Sequence, residues 1–179
     1  MTLQICILGA LSEGDRHPYD IKKSILRALD NSMSINDGTL YYNFEAMAKK
    51  GLIRVSEVVH SENRPDKTLY SITDKGLKAL EDNIYSAFQK MTSVTSLYAS
   101  LLFLDKVDKK KVAYLIEEAI ERLTKSVNRI KGSDGEFHEV PEEKREAIRL
   151  VADHALHKLE NDVAWLRRVL ESIRRSSET

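Results

Sequence analysis

The sequence predicts a mainly α protein with one small β-hairpin, and three observations carry that prediction. Helix formers dominate and chain breakers are scarce, with 7 Gly and 3 Pro in 179 residues. Between Asn36 and Gly76 a helix start, Gly38-Thr39-Leu40-Tyr41-Tyr42, leads through Lys49-Lys50-Gly51 into two β-like runs. These runs, Ile53–His60 and Lys67–Thr73, flank the polar tip Ser61-Glu62-Asn63-Arg64-Pro65-Asp66. Beyond Thr73 the apolar residues recur at a 3-4 spacing to the end of the chain. A helix followed by a hairpin with a cationic tip is the layout of a winged helix-turn-helix. Residues 1–76 are therefore expected to form a winged helix DNA-binding domain. Residues 77–179 are expected to form a long-helix dimerisation and effector domain.

Leu3, Ile5, Ile7, Leu8 and Leu11 predict a short, largely buried first helix that ends near Gly14. Pro18 suits the first turn of a second helix, about 19–29, with Ile21, Ile25, Ala28 and Leu29 at helical spacing. After Asp30-Asn31-Ser32, a third helix is expected over 37–50, capped by Asn36 and stopped by Gly51. Leu77, Leu80, Ile84, Ala87, Met91, Val94, Tyr98 and Leu101 then form an unbroken heptad seam, which asks for a partner helix. A helix over 108–131 repeats the pattern with Val112, Ile116, Ala119, Leu123, Val127 and Ile130. A loop over 131–141 precedes the last helix, whose stripe is Ile148, Ala152, Ala155, Leu159, Val163, Leu166, Leu170 and Ile173. That is more seam than one helical hairpin can bury, so a homodimer is expected. Leu77, Leu80, Ile84, Met91, Val94, Leu159, Leu166 and Leu170 are its expected contacts.

Composition sets further bounds. The 28 Lys+Arg balance the 28 Asp+Glu, and residues 1–80 hold 11 against 10. Nucleic-acid binding must then depend on where the charges sit rather than on an excess of them. A single cysteine, Cys6, excludes an intrachain disulfide and fits a reducing cytoplasm. Leu3–Leu11 lacks a basic leader and a cleavage site, and no apolar run reaches the ~20 residues that span a bilayer. A cytoplasmic protein without a membrane partner is expected.

On a helical wheel, Leu40, Phe44 and Met47 of the third helix share one side and belong to the core. Thr39, Tyr42, Ala46 and Lys49 face the other way, with Asn43 and Lys50 at the border. Hydroxyl, amide and ammonium groups around a small residue can hydrogen-bond base edges and phosphates. A solvated polar face has the same composition, and only the hairpin behind it favours double-stranded DNA. On the wing, Arg64 and Lys67 can neutralise phosphates.

At these residues the chain resembles the PadR family of bacterial transcriptional regulators. Ile7-Leu8-Gly9-Ala10-Leu11 is similar to the family's Ile-Leu-Gly-Leu-Leu, and His17-Pro18-Tyr19-Asp20-Ile21 to its His-Gly-Tyr-Glu-Ile. Gly38-Thr39-Leu40-Tyr41 matches the Gly-Thr-Leu-Tyr recognition segment outright, and Arg64-Pro65, Tyr70, Thr73 and Gly76 follow the wing signature. Pro18 replaces a glycine, Asn36 stands where serine is common, and Tyr42-Asn43-Phe44 replaces Pro-Ala-Leu, so base preference does not carry over. The expected DNA contacts are Asn36, Thr39, Tyr41, Tyr42, Asn43 and Lys49 on the helix, with Arg64 and Lys67 on the wing. The family's longer branch has a C-terminal domain resembling that of the virulence activator AphA. The resemblance implies a homodimer on a roughly palindromic operator, commonly as a repressor released by a small hydrophobic or aromatic effector; phenolic acids and hydrophobic drugs serve some members.

Other constellations point to blander roles. Asp153, His154, His157 and Glu160 have metal-ligand spacing, but they lie opposite or beside the main stripe, as charged helix faces do, and no metal is expected. Trp165 lies off the stripe and reads as packing, or as one wall of an aromatic ligand pocket. Cys6 reads as a small buried hydrophobe, and Lys109-Lys110-Lys111 as a solvated helix start. Ser93 and Ser96 have no histidine near them in sequence, and no phosphate loop or nucleophile motif is present. No enzyme and no cofactor are expected. The alternative to a DNA-binding regulator is a winged-helix protein–protein interaction module, which the neutral charge balance keeps open.

Overall fold

The computed structural model describes residues 2–29, 35–61, 64–132 and 141–176. In order, its elements are α1 (Thr2–Ser12), α2 (Pro18–Ala28), α3 (Asp37–Lys49), β1 (Ile53–Ser61), β2 (Arg64–Ile72), α4 (Asp74–Gln89), α5 (Tyr98–Leu101), α6 (Lys109–Gly132) and α7 (Glu142–Arg175). Short 3-10 turns at Val94–Leu97 and Leu104–Lys106 flank α5. The expected turn at Asp30-Asn31-Ser32 and most of the 131–141 loop lie outside the described residues.

Two compact units result. The first holds the chain up to Lys90 together with Thr95–Val107; the second holds Met91–Val94 and the chain from Asp108. In the first, α1 is apolar all round and therefore central: Ile5 through Leu11 are all buried. α4 lies on it through Leu80, Ile84 and Phe88, and the α5 segment adds Leu97, Ala99 and Phe103. Gly9 is what lets the Phe103 ring rest on α1, since a side chain there would collide with that ring. Gly76 likewise admits the Leu52 carbonyl against α4.

This packing corrects the seam expected over 77–101. Leu80 and Ile84 are 1% and 0% exposed within the head's own core, so they are unavailable to a partner chain. The helix stops at Gln89, so Met91 and Val94 lie beyond it and do not continue the stripe, while Leu77 stays on that face at its exposed end. A 3-4 apolar pattern demands an apolar neighbour but does not say which, and α1 supplies it. Thr92-Ser93 and Thr95-Ser96 place side chains that compete for backbone hydrogen bonds where the helix would have to continue. The first compact unit accordingly runs past the Gly76 boundary.

β1 and β2 pair antiparallel, from Ile53↔Ile72 to Ser61↔Arg64, with irregularities between Val55 and Glu57 and between Val59 and Ser61. Both strands thus reach further toward the tip than the expected runs. The hairpin is tied back to the head by a third short pairing: Arg16 and Tyr70 exchange both backbone hydrogen bonds, each at 3.1 Å.

The second unit is an antiparallel pair of long helices. Lys109 at the start of α6 donates to Ser176 beyond α7 (3.2 Å), and Lys131 at its other end pairs with Glu160 (2.6 Å). Val112, Leu115, Ile116, Ala119 and Val127 bury against Val163, Leu166, Leu170 and Ile173. Leu166 and Leu170, expected at a dimer seam, are therefore already covered within the protomer. Because Glu160 sits opposite the end of α6, the part of α7 before it runs on past Gly132 by roughly 25 Å at ~1.5 Å per residue. Leu150 and Val151 on that stretch are 64% and 69% exposed. No described helix is long and apolar enough to cross a membrane.

Candidate nucleic-acid interface

α3 is fixed at both ends by local chemistry. The Asn36 Oδ1 accepts the Thr39 N–H (2.7 Å), satisfying one of the donors that a helix start leaves open. Gly51, at φ +69°, takes the left-handed conformation that ends the helix and turns the chain into β1. The inner face holds Leu40, Phe44 and Met47, all fully buried, and the Phe44 ring meets Tyr70 of β2 edge-on at 5.0 Å. Burial, with the Glu45 carboxylate and Tyr41 nearby, raises the Tyr70 hydroxyl above its ordinary pKa, so it stays protonated. Helix and wing thus share one apolar contact.

Thr73 locks the other side of the junction. Its hydroxyl donates toward the Gly51 and Leu52 carbonyls (2.7 and 3.0 Å) and accepts the Gly76 N–H (3.1 Å), capping α4. Lys75 donates to the Lys50 carbonyl (2.8 Å), where the last carbonyls of α3 lack helical partners.

The expected contact residues separate into two groups. Thr39, Tyr41, Tyr42 and Lys49 stand exposed, Tyr42 at 72%. Asn36 is engaged as the cap, and Asn43, half-buried, donates to the Thr39 carbonyl (2.8 Å). These two hold the helix in shape more than they present groups outward. Lys67 is exposed on the wing and reaches Asp20 of α2 at 3.8 Å. The Arg64 side chain lies outside the described residues.

Two features escaped sequence reasoning. Lys22 of α2 pairs with Asp37 at 2.7 Å, joining the two helices and neutralising a carboxylate at the start of α3 that would otherwise repel phosphate. Only the fold brings these residues together, so no local signal could have revealed the pair. Arg54 is exposed on β1 with its Nε donating to Ser71 (3.2 Å), adding a cation to the wing. Its place in a β-like run was the available clue.

On α7, Asp153 and His157 form an exposed i, i+4 pair at 3.3 Å, and Glu160 is taken by Lys131. Among the described residues no group of three or more such side chains is placed to hold a metal ion. Burial pushes the Cys6 thiol up to about 12.

Three helices, with the third presenting a polar face beside a tethered hairpin, define the winged helix-turn-helix head of a transcriptional regulator. Residues 7–82 match the model of the Transcriptional regulator PadR-like family, and the chain carries a domain of that family. It is a regulator rather than an enzyme. The match ends at residue 82 and does not reach the helical second unit. The Negative transcriptional regulator PadR of Bacillus subtilis (strain 168) is 23% identical over 186 residues, which take in 96% of this chain and 97% of that protein. The crystal structure of Bacillus subtilis PadR in complex with operator DNA has a TM-score of 0.43 at 19% identity, covering 97% of this chain and 99% of that one. Smu.1604c from Streptococcus mutans UA159 has a TM-score of 0.44 at 23% identity, covering 94% and 98%.

Proposed function

We propose that this protein binds double-stranded DNA as a homodimer and represses transcription from a roughly palindromic operator. The observation that carries the proposal is the division of α3: Leu40, Phe44 and Met47 are consumed by the core, while Thr39, Tyr42 and Lys49 are left exposed. Tyr42 and Thr39 would read base edges, and Lys49, Lys67, Arg54 and Arg64 would neutralise phosphates. Repression follows the output named for the Bacillus subtilis relative. A cytoplasmic location and release by a small hydrophobic or aromatic effector belong to the same reading.

The part of α7 that outruns α6 supports the dimer. Leu150 and Val151 lie exposed there, and Ile148, Ala152, Ala155 and Leu159 are only half-buried. A helix apolar on more than one face buries that surface against another chain. Leu159 is thus retained as a dimer contact, whereas Leu80, Ile84, Leu166 and Leu170 are not.

A gel shift on fragments of the source genome at two salt concentrations tests the proposal. Retention of particular fragments, weakening steeply with salt, is expected. Indifference to both sequence and salt would refute it.

A further inference from the structure

The head contains a cleft of about 200 Å³ whose lining includes Cys6, Ala10, Ile25 and Phe103, with Glu13 and Arg16 at its polar edge. Its floor is apolar, and Cys6, Ala10, Ile25 and Phe103 are all buried. The volume exceeds the ~150 Å³ that admits a benzene molecule in an engineered apolar cavity.

One polar group there is out of balance. The Arg16 Nε–H is buried and has no hydrogen-bond partner among the described residues. A buried donor left unmet gives up its hydration without replacing it, so the site favours an acceptor there. The rest of the polar edge is settled. The Arg16 Nη2 pairs with Glu13 at 3.1 Å, the Ser24 hydroxyl donates to the Asp20 carbonyl at 3.0 Å, and nearby Lys106 pairs with Asp105 at 2.7 Å. The Cys6 thiol stays protonated, so the floor adds no charge. The charge of Arg16 is thus already matched, and a carboxylate ligand would bring a second anion to Glu13. What the cleft lacks is an uncharged acceptor on an apolar body.

We propose that this cleft binds a compact uncharged ligand, about one ring in size, whose acceptor oxygen takes the Arg16 Nε–H. Occupation bears on the wing, because the Arg16 backbone is bonded in both directions to Tyr70 and the Tyr70 ring meets Phe44 of α3. A consequence for DNA would rest on the proposed function; binding itself does not, and it is tested without DNA.

The test is titration of the ¹⁵N-labelled full chain with acetophenone, ethylbenzene and benzoate to millimolar concentration. Acetophenone is expected to shift the Arg16 Nε–H and the amides of Arg16 and Tyr70 saturably. Ethylbenzene, the same shape without the oxygen, and benzoate, an anion, are each expected to bind about tenfold more weakly. Ala28→Leu, at an exposed position of α2 on the rim, fills the mouth and should abolish the shifts in a chain whose other resonances are unmoved. No shift with acetophenone, equal binding of ethylbenzene, tighter binding of benzoate, or an unaffected Ala28→Leu chain would each overturn the proposal.

Discussion

Ile84→Ala distinguishes a core helix from a dimer seam at α4. Ile84 is fully buried in the first unit, where α4 packs on α1. Truncating such a side chain removes its transfer free energy and leaves a cavity, at a cost of about 2–5 kcal/mol. The whole cost falls on the head. Amide hydrogen exchange along α1 reads it directly, because those amides exchange when the head opens. At ~1.36 kcal/mol per decade, exchange of the α1 amides should accelerate by ~30-fold to a few thousand-fold. Sedimentation at micromolar concentration should meanwhile show the assembly of the parent chain. Were α4 instead the seam between two chains, the variant would dissociate while α1 kept its protection. That outcome would refute the packing argument.

Other perturbations follow from single contacts. Gly76→Ala drives a methyl into the Leu52 carbonyl and the Ile72 side chain, and should lower the thermal midpoint of the head by several degrees in calorimetry. Asn36→Ala removes the cap of α3 and should cost about 1 kcal/mol in denaturant unfolding, with Asn36→Asp restoring most of it. The Cys6 thiol, near 9 when unfolded and about 12 in the native chain, stabilises the fold fully below pH 9. Above pH 9 the unfolded chain loses that proton first, so stability should decline by up to ~1.4 kcal/mol per pH unit until about pH 12. Cys6→Ala should lack that component, and identical pH slopes for the two chains would contradict it. Lys49→Ala should weaken binding to most DNA sequences and reduce the salt slope by about one, whereas Tyr42→Ala should change sequence preference. An unchanged Lys49→Ala slope would remove that residue from the phosphate contacts.

The sequence carried the local structure well because local rules govern it. Asn36, Gly51 and Pro18 set helix ends through caps and backbone geometry, and the observed bounds of α2 and α3 fall within a residue of the expected ones. The buried trio Leu40, Phe44 and Met47 followed from helical spacing alone. What failed was partnership. The stripe through Leu80 and Ile84 looked the same whether α1 or a second chain would cover it, because periodicity encodes a face and not its neighbour. The Lys22–Asp37 pair and the Arg16–Tyr70 bridge were invisible for a related reason: each joins residues far apart in sequence. For Asn43 the wheel gave the border position, which its half-buried side chain occupies, but not the hydrogen bond its amide donates to the Thr39 carbonyl.

The most direct test of the central claim is selection of bound sequences from a random pool of double-stranded DNA by the full-length protein. Two copies of α3 related by a twofold axis should enrich a motif of two inverted half-sites, with centres one turn apart, about 10–10.5 base pairs, or a multiple of it. Substituting Tyr42 should then alter base preference within each half-site and leave their spacing unchanged. A pool that shows no enrichment, or enriches a single half-site without its inverted copy, would contradict the account of a paired DNA reader.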